Sequence, residues 1–406
     1  MVERTQNTAG VKSSRWRWPL FWSGLILLSQ AFPLAAPVRD AATLLPLPQF
    51  HLHFPFWHLV FTPFCSVADA LTVLGAQEEK VLIVTVFILG FLLAGFRRGI
   101  LSFLLFTAFV AWGVLVPRPM GRLIASDPNV LLIDFHSHTQ FSHDGRKSFA
   151  PELNMRWHEQ QGYNAAFITD HNLVEGAVRA KNASEADWKQ TGYRSLEGEE
   201  VSLKKTHLVI LGNRQKIDNV PFDLNGLKIH EFVTAMHQLQ LPVIASLPEY
   251  WLYHWTEAGY GSYQDFAAWG MDGFEIINSA PKAQDFPLAY RSKIVDLCRA
   301  YNLFMTGISD NHGYGYATAA WNAMRIPGWQ SLAPDALEKA VIQQLGVERF
   351  QAIQVLERVR YIPTTTFQLL ISPWATLWLY WRALALLQCF SWVAWIWLLH
   401  LVKALA

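Results

Sequence analysis

Charge is what this sequence has little of. Asp, Glu, Lys and Arg make up 16% of its 406 residues, against about 25% in ordinary soluble domains. The formal net charge of +1 offers no basic surface for nucleic acid, and no nucleic-acid partner is expected. Cysteine is nearly missing. Cys65, Cys298 and Cys389 follow no CxxC or pairing pattern, so neither a disulfide framework nor a cysteine zinc site is indicated. A P-loop, a dinucleotide-binding glycine fingerprint and an internal repeat are also lacking. What is plentiful is tryptophan, at 18 residues, and uncharged sequence at both ends of the chain.

Trp18 to Val38 carries no charge, follows Lys12, Arg15 and Arg17, and is long enough to cross a bilayer. A cleaved signal peptide is the alternative, but further apolar segments favour a retained span. Val81 to Phe96 and Gly99 to Val116 flank Arg97 and Arg98 and read as a helical hairpin with a basic turn. A hairpin buried in a soluble core would carry a polar face, which these segments lack. His51 to Gly75 is apolar but contains Pro55, Pro63 and Asp69. It could span, re-enter or lie in the interface, where Phe54, Phe56, Trp57 and Phe61 suit the headgroup zone. His51, His53 and His58 read as interfacial histidines rather than metal ligands. Tyr361 to Trp381 and Ala383 to Val402, separated by Arg382, give one or two further spans, with Pro373 favouring an interfacial first helix.

These runs predict a membrane protein with several spans and a lipid-bilayer partner: an N-terminal membrane region over 1–126, a soluble domain over 127–360, and C-terminal membrane segments over 361–406. The positive-inside rule places the basic N-terminus and the Arg97-Arg98 turn in the cytoplasm. If His51 to Gly75 does not cross, both conditions hold and the central domain is extracytoplasmic (periplasmic). If it crosses, the domain is cytoplasmic. The rule favours the first arrangement.

From about Asp127 to Arg360, short apolar runs alternate with amphipathic stretches, which predicts an α/β domain of parallel strands. The runs are Val130–Phe135, Ala165–Thr169, His207–Leu211, Val243–Ser246, Phe274–Ile277 and Leu303–Ile308. Helices are expected over Ala150–Gln161 and Leu227–Leu239. VLLIDF leads into His136 and His138, AAFIT into Asp170 and His171, and LFMTGI into Asp310 and His312. Glu200 ends the Arg194–Glu200 stretch. In a barrel of parallel strands such ends converge on one face. In a strand, residues i and i+2 point the same way, so His136 with His138, and Asp310 with His312, can each address one metal position. Imidazole and carboxylate suit Zn, Mn or Fe. Ions so held would make a hydroxide nucleophile near neutral pH and offset the charge of a phosphate. Singly, each residue reads as a core histidine or a capping aspartate. Jointly they read as a metal site.

This pattern resembles the PHP superfamily (polymerase and histidinol phosphatase). DFHSHTQFSHDG resembles its first motif, GYNAAFITDHN its second, GEEVS with THLVILG the segment between, GFEIIN a later strand, and GISDNHG its last motif. The resemblance runs from Val130 to about Gly315. It implies a distorted (β/α)7 barrel, two or three divalent metal ions, and phosphoesterase activity on a phosphate-containing substrate. By position it implies the metal ligands His136, His138, His171, Glu200, His207, Asp310 and His312. It places Asp170 behind a ligand, as an orienting group, and gives Glu275 and Asn278 a shaping role. His136, His138, Asp170, His171, Asp310 and His312 are the catalytic candidates. Arg146 and Lys147 could meet a phosphate, although solvated charges are the plainer reading.

Two departures stand out. The family's SDG is spelt Ser142-His143-Asp144-Gly145 here; spacing favours His143 as the ligand and an inserted residue would favour Asp144. The family's His-Pro is Leu247-Pro248, and leucine cannot bind metal; Glu249 or His254 could substitute. The expectation is a membrane-anchored metal-dependent phosphoesterase. The alternative is a catalytically weak or inactive member that holds metal or ligand as a sensor. A transporter is a poorer fit, because the spans offer few intramembrane charges beyond Asp69.

Overall fold

The computed structural model describes residues 9–203, 206–223, 228–250, 262–281 and 283–405. His254 lies outside the described residues. Twelve strands occur among them: β1 (Val38–Asp40), β2 (Phe50–His53), β3 (Arg122–Ala125), β4 (Val130–Asp134), β5 (Ala165–Ile168), β6 (Arg194–Leu203), β7 (Thr206–Leu211), β8 (Val243–Ala245), β9 (Gly273–Asn278), β10 (Phe304–Ile308), β11 (Ala320–Arg325) and β12 (Gln354–Arg358). The apolar segments supply helices α1 (Ala9–Leu27), α2 (Phe56–Val60), α3 (Thr62–Leu71), α4 (Ala76–Ala94) and α5 (Phe96–Leu115). The central region supplies α6 (Pro151–Gln161), α7 (Glu175–Thr191), α8 (Val220–Asp223), α9 (Ile229–Gln238), α10 (Tyr263–Ala268), α11 (Leu288–Tyr301) and α12 (Pro334–Glu348), and the C-terminus α13 (Thr366–Arg382) and α14 (Leu386–Leu405).

The fold is mixed α/β around a curled ten-stranded sheet, in the order β1-β12-β11-β4-β5-β6-β7-β8-β9-β10. β4, β5 and β6 run parallel, as do β8, β9 and β10. β7 is antiparallel to both β6 and β8, and β11 to both β4 and β12. Strands β4, β5, β6, β8, β9, β10 and β12 therefore share one direction. Helices follow most of them, as expected for βα units. The curl returns β10 towards β4: Ser137 and Asn311 form a parallel bridge just beyond the strand ends, and the Asp310 amide donates to the His136 carbonyl at 3.0 Å. β4, β5, β8, β9 and β10 are short, mainly apolar and buried on both faces, the pattern of a sheet covered by helices.

Two expectations are corrected here. His207–Leu211 was expected to run parallel; β7 instead returns from β6 as a hairpin partner, with Ser202 opposite His207. The other concerns His51 to Gly75, which the sequence leaves as spanning, re-entrant or interfacial. It divides into β2, α2 and α3, with β2 paired to β3. His58 is not interfacial: it is fully buried, with Nε2 3.3 Å from Asp69 Oδ2. In addition, β1 arises within 1–126 but pairs with β12, so the sheet takes a strand from the N-terminal region.

Two described helices, Phe96–Leu115 and Leu386–Leu405, are long and apolar enough to cross a membrane. α4 is equally apolar beyond its charged first turn and packs antiparallel to α5, whose Gly99 meets the Phe91 backbone closely.

Candidate metal centre

The chemistry-bearing residues collect where the co-directional strands end. β4 delivers His136 and His138, and β5 delivers Asp170 and His171. β6 carries Glu200 and is long enough to pass it across the same end. His207 sits near the start of the antiparallel β7, the part of that strand lying beside the end of β6. β10 delivers Asp310 and His312.

Three sets of donor atoms each lie within 4.8 Å of one another: His138, Asp144, His171 and His312; His136, His138 and Asp310; His171, Glu200 and His207. His138 and His171 each belong to two sets, so the three are contiguous. Glu200 Oε2 lies 3.0 Å from His136 Nε2, 3.3 Å from His138 Nε2 and 3.2 Å from His171 Nδ1. Its Oε1 faces His207 Nδ1 at 3.1 Å. Asp310 Oδ1 is 3.2 Å from His138 Nε2. Asp144 Oδ2 lies 3.3 Å from His171 Nε2 and 3.1 Å from His312 Nε2.

The choice between neighbours falls to Asp144. Its carboxylate enters the cluster, whereas the His143 side chain is 74% exposed and its ring lies at 4.7 Å from that of His171, at the rim. A turn sets this placement: Ser142 and Gly145 amides donate to Thr139 and Ser142 carbonyls, and the Ser142 hydroxyl donates to Asp144 Oδ1 at 2.8 Å. Gly145 approaches so closely that a Cβ would lie 2.0 Å from the Thr139 carbonyl oxygen.

Asp170 is not among the converging donors. Its Oδ1 accepts from the Thr139 amide at 2.6 Å and its Oδ2 from the Thr139 hydroxyl at 2.7 Å. A Cβ on Gly176 would lie 1.9 Å from that Oδ2. Asp170 thus holds the loop after β4.

Other residues complete the site. Glu275 Oε1 pairs with His136 Nδ1 at 2.8 Å, and its Oε2 accepts from the Leu247 amide at 2.7 Å. Asn278 donates to Asp310 Oδ2 at 2.9 Å and to Glu249 Oε1 at 3.1 Å. Glu275 and Asn278 are three apart yet serve one site, because the register of β9 on β10 slips at Ile276. Asp134, at the head of the first motif, and His158, which no motif marks, brace the layer beneath: Asp134 Oδ2 meets His158 Nε2 at 3.0 Å, and its Oδ1 accepts from the His136 and Ser309 amides. Leu247 (φ 56) and Asp310 (φ 48) both adopt left-handed backbone at strand ends beside the cluster, the kind of strain that gathers at functional sites. Arg146 is no free phosphate ligand; one of its nitrogens donates to the carbonyls of Leu115 and Gly313.

The electrostatics agree with a cation cage. Burial alone would lower His136 and His138. Glu200 and Glu275 nevertheless hold His136 well above its ordinary value, and hydrogen bonds to Asp310 and Glu200 lift His138 to about 10. Burial would raise Glu200, but the imidazoles of His136, His171 and His207 hold it well below the carboxylate range. Asp144, against His171 and His312, is likewise depressed, and so is Asp310. Burial lowers His171. Buried carboxylates thus demand positive charge, which protons on crowded imidazoles supply when no ion does. His136 Nε2 and His138 Nε2 face each other at 3.0 Å, and the buried Nδ1 of His138 lacks a hydrogen-bond partner. Such a nitrogen and oxygen donor set fits first-row divalent ions. A fourth set, Glu197, Asp335 and Glu338, is already served by the Lys181 ammonium, 2.5 Å from Glu197 Oε2, and by Arg214.

No family profile matches the chain, and no curated protein matches it in sequence. Among solved structures it is similar to a two-domain protein from Bacteroides vulgatus containing a predicted PHP-like metal-dependent phosphoesterase. There the identity is 17% and the TM-score 0.38, over 57% of this chain and 65% of that one, just under two thirds of its length. A candidate metal-dependent phosphoesterase from Bifidobacterium adolescentis aligns at 16% identity and TM-score 0.35, over 46% and 89% of the two chains. An amidohydrolase from Chromobacterium violaceum, with bound sulfate and no metal, aligns at 14% identity and TM-score 0.35, over 56% and 98%. Likenesses this distant leave the functional argument to the side chains.

Proposed function

We propose that the chain is a membrane-anchored, metal-dependent phosphoesterase built on a PHP-type (β/α)7 barrel. The observation that carries this reading is the contiguity of the three donor sets through His138 and His171. The ligands would be His136, His138, Asp144, His171, Glu200, His207, Asp310 and His312, for two or three ions among Zn, Mn and Fe. Divalent ions there would lower the pKa of water and offset the charge of a phosphate.

The chain's own residues prepare that centre. Glu275 engages His136 Nδ1 and leaves Nε2 turned to the cluster. The Asp310 carbonyl does the same for His312, accepting from Nδ1 at 2.8 Å. Such outer partners fix the ring orientation and tautomer of a ligating histidine. Asp170, through Thr139, holds the loop that presents Asp144. His312 and Asp144 lie at the open edge of the site, with side chains 17% and 41% exposed, where a substrate would enter. Residues 1–126 and 361–406 would hold 127–360 at the membrane, on the extracytoplasmic side.

Leu247 supports a second reading. It stands where a ligand is expected and offers only its backbone amide, to Glu275. A barrel short of one ligand could hold ions without turnover and act as a sensor. One assay separates the two: purified full chain, loaded with Mn or Zn, is offered an aryl phosphate. Hydrolysis abolished by His136→Ala supports the enzyme; metal binding with no hydrolysis supports the sensor.

A further inference from the structure

The end of the barrel that carries the metal centre is the end on which the apolar helices stand. Three loops that follow site strands meet helix termini there. In the loop after β4, Arg146 donates to the carbonyl of Leu115, the last residue of α5, at 2.8 Å. In the loop after β10, the Gly315 amide donates to the Val114 carbonyl at 2.7 Å, and the Ala317 amide to the Thr72 hydroxyl at the end of α3. After β9, the Pro281 carbonyl accepts from the amide of Ala76, the first residue of α4, at 3.0 Å, and Asp285 accepts from Gln77. The chain also enters and leaves the sheet at this end: Val38, which follows α1, pairs with Arg358, which precedes α13.

The mount is fixed rather than tethered. Arg118 meets Asp69 at 2.7 Å and Arg360 meets Glu78 at 2.9 Å, all four buried where helices and barrel join. Pairs stripped of water in this way resist separation, because either partner alone would be a buried uncompensated charge.

From this base the α4–α5 hairpin leads away from the barrel, its turn at Gly95 and its open ends on the site loops. At about 1.5 Å per residue a 20-residue helix measures about 30 Å, the thickness of a bilayer's hydrocarbon core. Leu92, Leu93, Phe96, Leu101, Leu104 and Leu105 are exposed along it. Phe56 and Trp57, also exposed, follow β2 at the barrel end of the bundle, the level at which aromatic side chains meet headgroups. A hairpin immersed in lipid brings the metal centre down to the membrane surface instead of holding it out towards bulk water.

We infer that the substrate is the phosphate ester of a bilayer-resident amphiphile, its headgroup reaching the centre from the membrane plane. The inference rests on the phosphoesterase reading and adds the source of the ester to it. Phosphate chemistry alone would serve a soluble ester equally well. The position of the site on the helix-bearing end is what selects the lipid.

The test uses full-length protein in phosphatidylcholine vesicles with Mn and a matched pair of monoesters. One is 4-methylumbelliferyl phosphate in solution. The other carries the same fluorophore on a hexadecanoyl chain and is held in the vesicle membrane. At equal bulk concentration the vesicle-held ester is expected to turn over at least tenfold faster, with His138→Ala silent on both. A smaller ratio, with the soluble ester cleaved, overturns the lipid inference and leaves the hydrolase standing. Turnover of neither removes both.

Discussion

His136 Nδ1 and Glu275 Oε1 meet at 2.8 Å across 139 residues of sequence. One strand supplies the imidazole and another the group that aims it. Glu275 is wholly buried, and burial raises its pKa despite the pull of His136, so its other oxygen needs the Leu247 amide as well. Glu275→Gln should keep the volume and lose the charge. Metal affinity should fall by about 10- to 100-fold, as outer partners of metal ligands generally dictate. Titration of the purified variant with Zn, read by calorimetry, checks this; unchanged affinity would make Glu275 a packing residue.

The rim offers a paired comparison. Asp144→Asn should lower metal content and abolish aryl-phosphate hydrolysis, because its carboxylate lies between His171 and His312. His143→Ala should leave both within about twofold, as exposed side chains away from special contacts usually do. Reversed outcomes would restore His143 as the ligand.

How far sequence reached can be judged from these same positions. His136, His138, Asp310 and His312 were legible because i and i+2 spacing at the end of an apolar run is a strand property. The six apolar runs and the helix over Pro151–Gln161 also stand where the pattern puts them, to within a residue or two. His143 against Asp144 was not legible, since one turn decides which of two neighbours points inward. The reversal of β7 was hidden because a buried strand reads alike in both directions. Glu275 and Asn278 escape a period of two because of the slip at Ile276. β1 is obscured by apolar neighbours, and β11 and β12 fall outside the apolar runs that mark strands.

Metal uptake should release protons. Surrounding carboxylates favour the protonated forms of both rings against burial: Glu200 and Glu275 hold His136 well above its ordinary value, and Asp310 and Glu200 lift His138 to about 10. Metal ligation needs neutral imidazole. Adding Zn at pH 7 in weak buffer should therefore liberate protons. His171, lowered by burial, should contribute none. An indicator dye reads the release, and pH-neutral binding would show that the two imidazoles start neutral. The same addition should stabilise the fold by about 2.7 kcal/mol per site at a hundredfold excess over Kd, seen as a rise in Tm.

Acid should loosen the barrel through Glu357. Burial opposes its charge, but Arg291 and Arg39 outweigh burial and hold it near 2, against 4.5 for a free glutamate. Arg291 grips both carboxylate oxygens at 3.0 Å. A depressed folded-state value stabilises above pH 4.5, and the contribution is lost as pH falls through about 2. At neutral pH it is on the order of 3 kcal/mol. Denaturant midpoints should drop between pH 5 and pH 2, and Glu357→Gln should be less stable at pH 7 with a flatter profile over that range. An unchanged slope would mean that other carboxylates govern acid unfolding.

The central claim is that β4, β5, β6, β7 and β10 gather one polynuclear cation site. Anomalous diffraction from crystals of the full chain grown with Mn or Zn tests it most directly. The account predicts at least two peaks, one touching His136, His138 and Asp310, and another touching His171 and Glu200, with metal–ligand distances of about 2.0–2.3 Å. Crystals soaked in either ion that show no anomalous density among these side chains would contradict it.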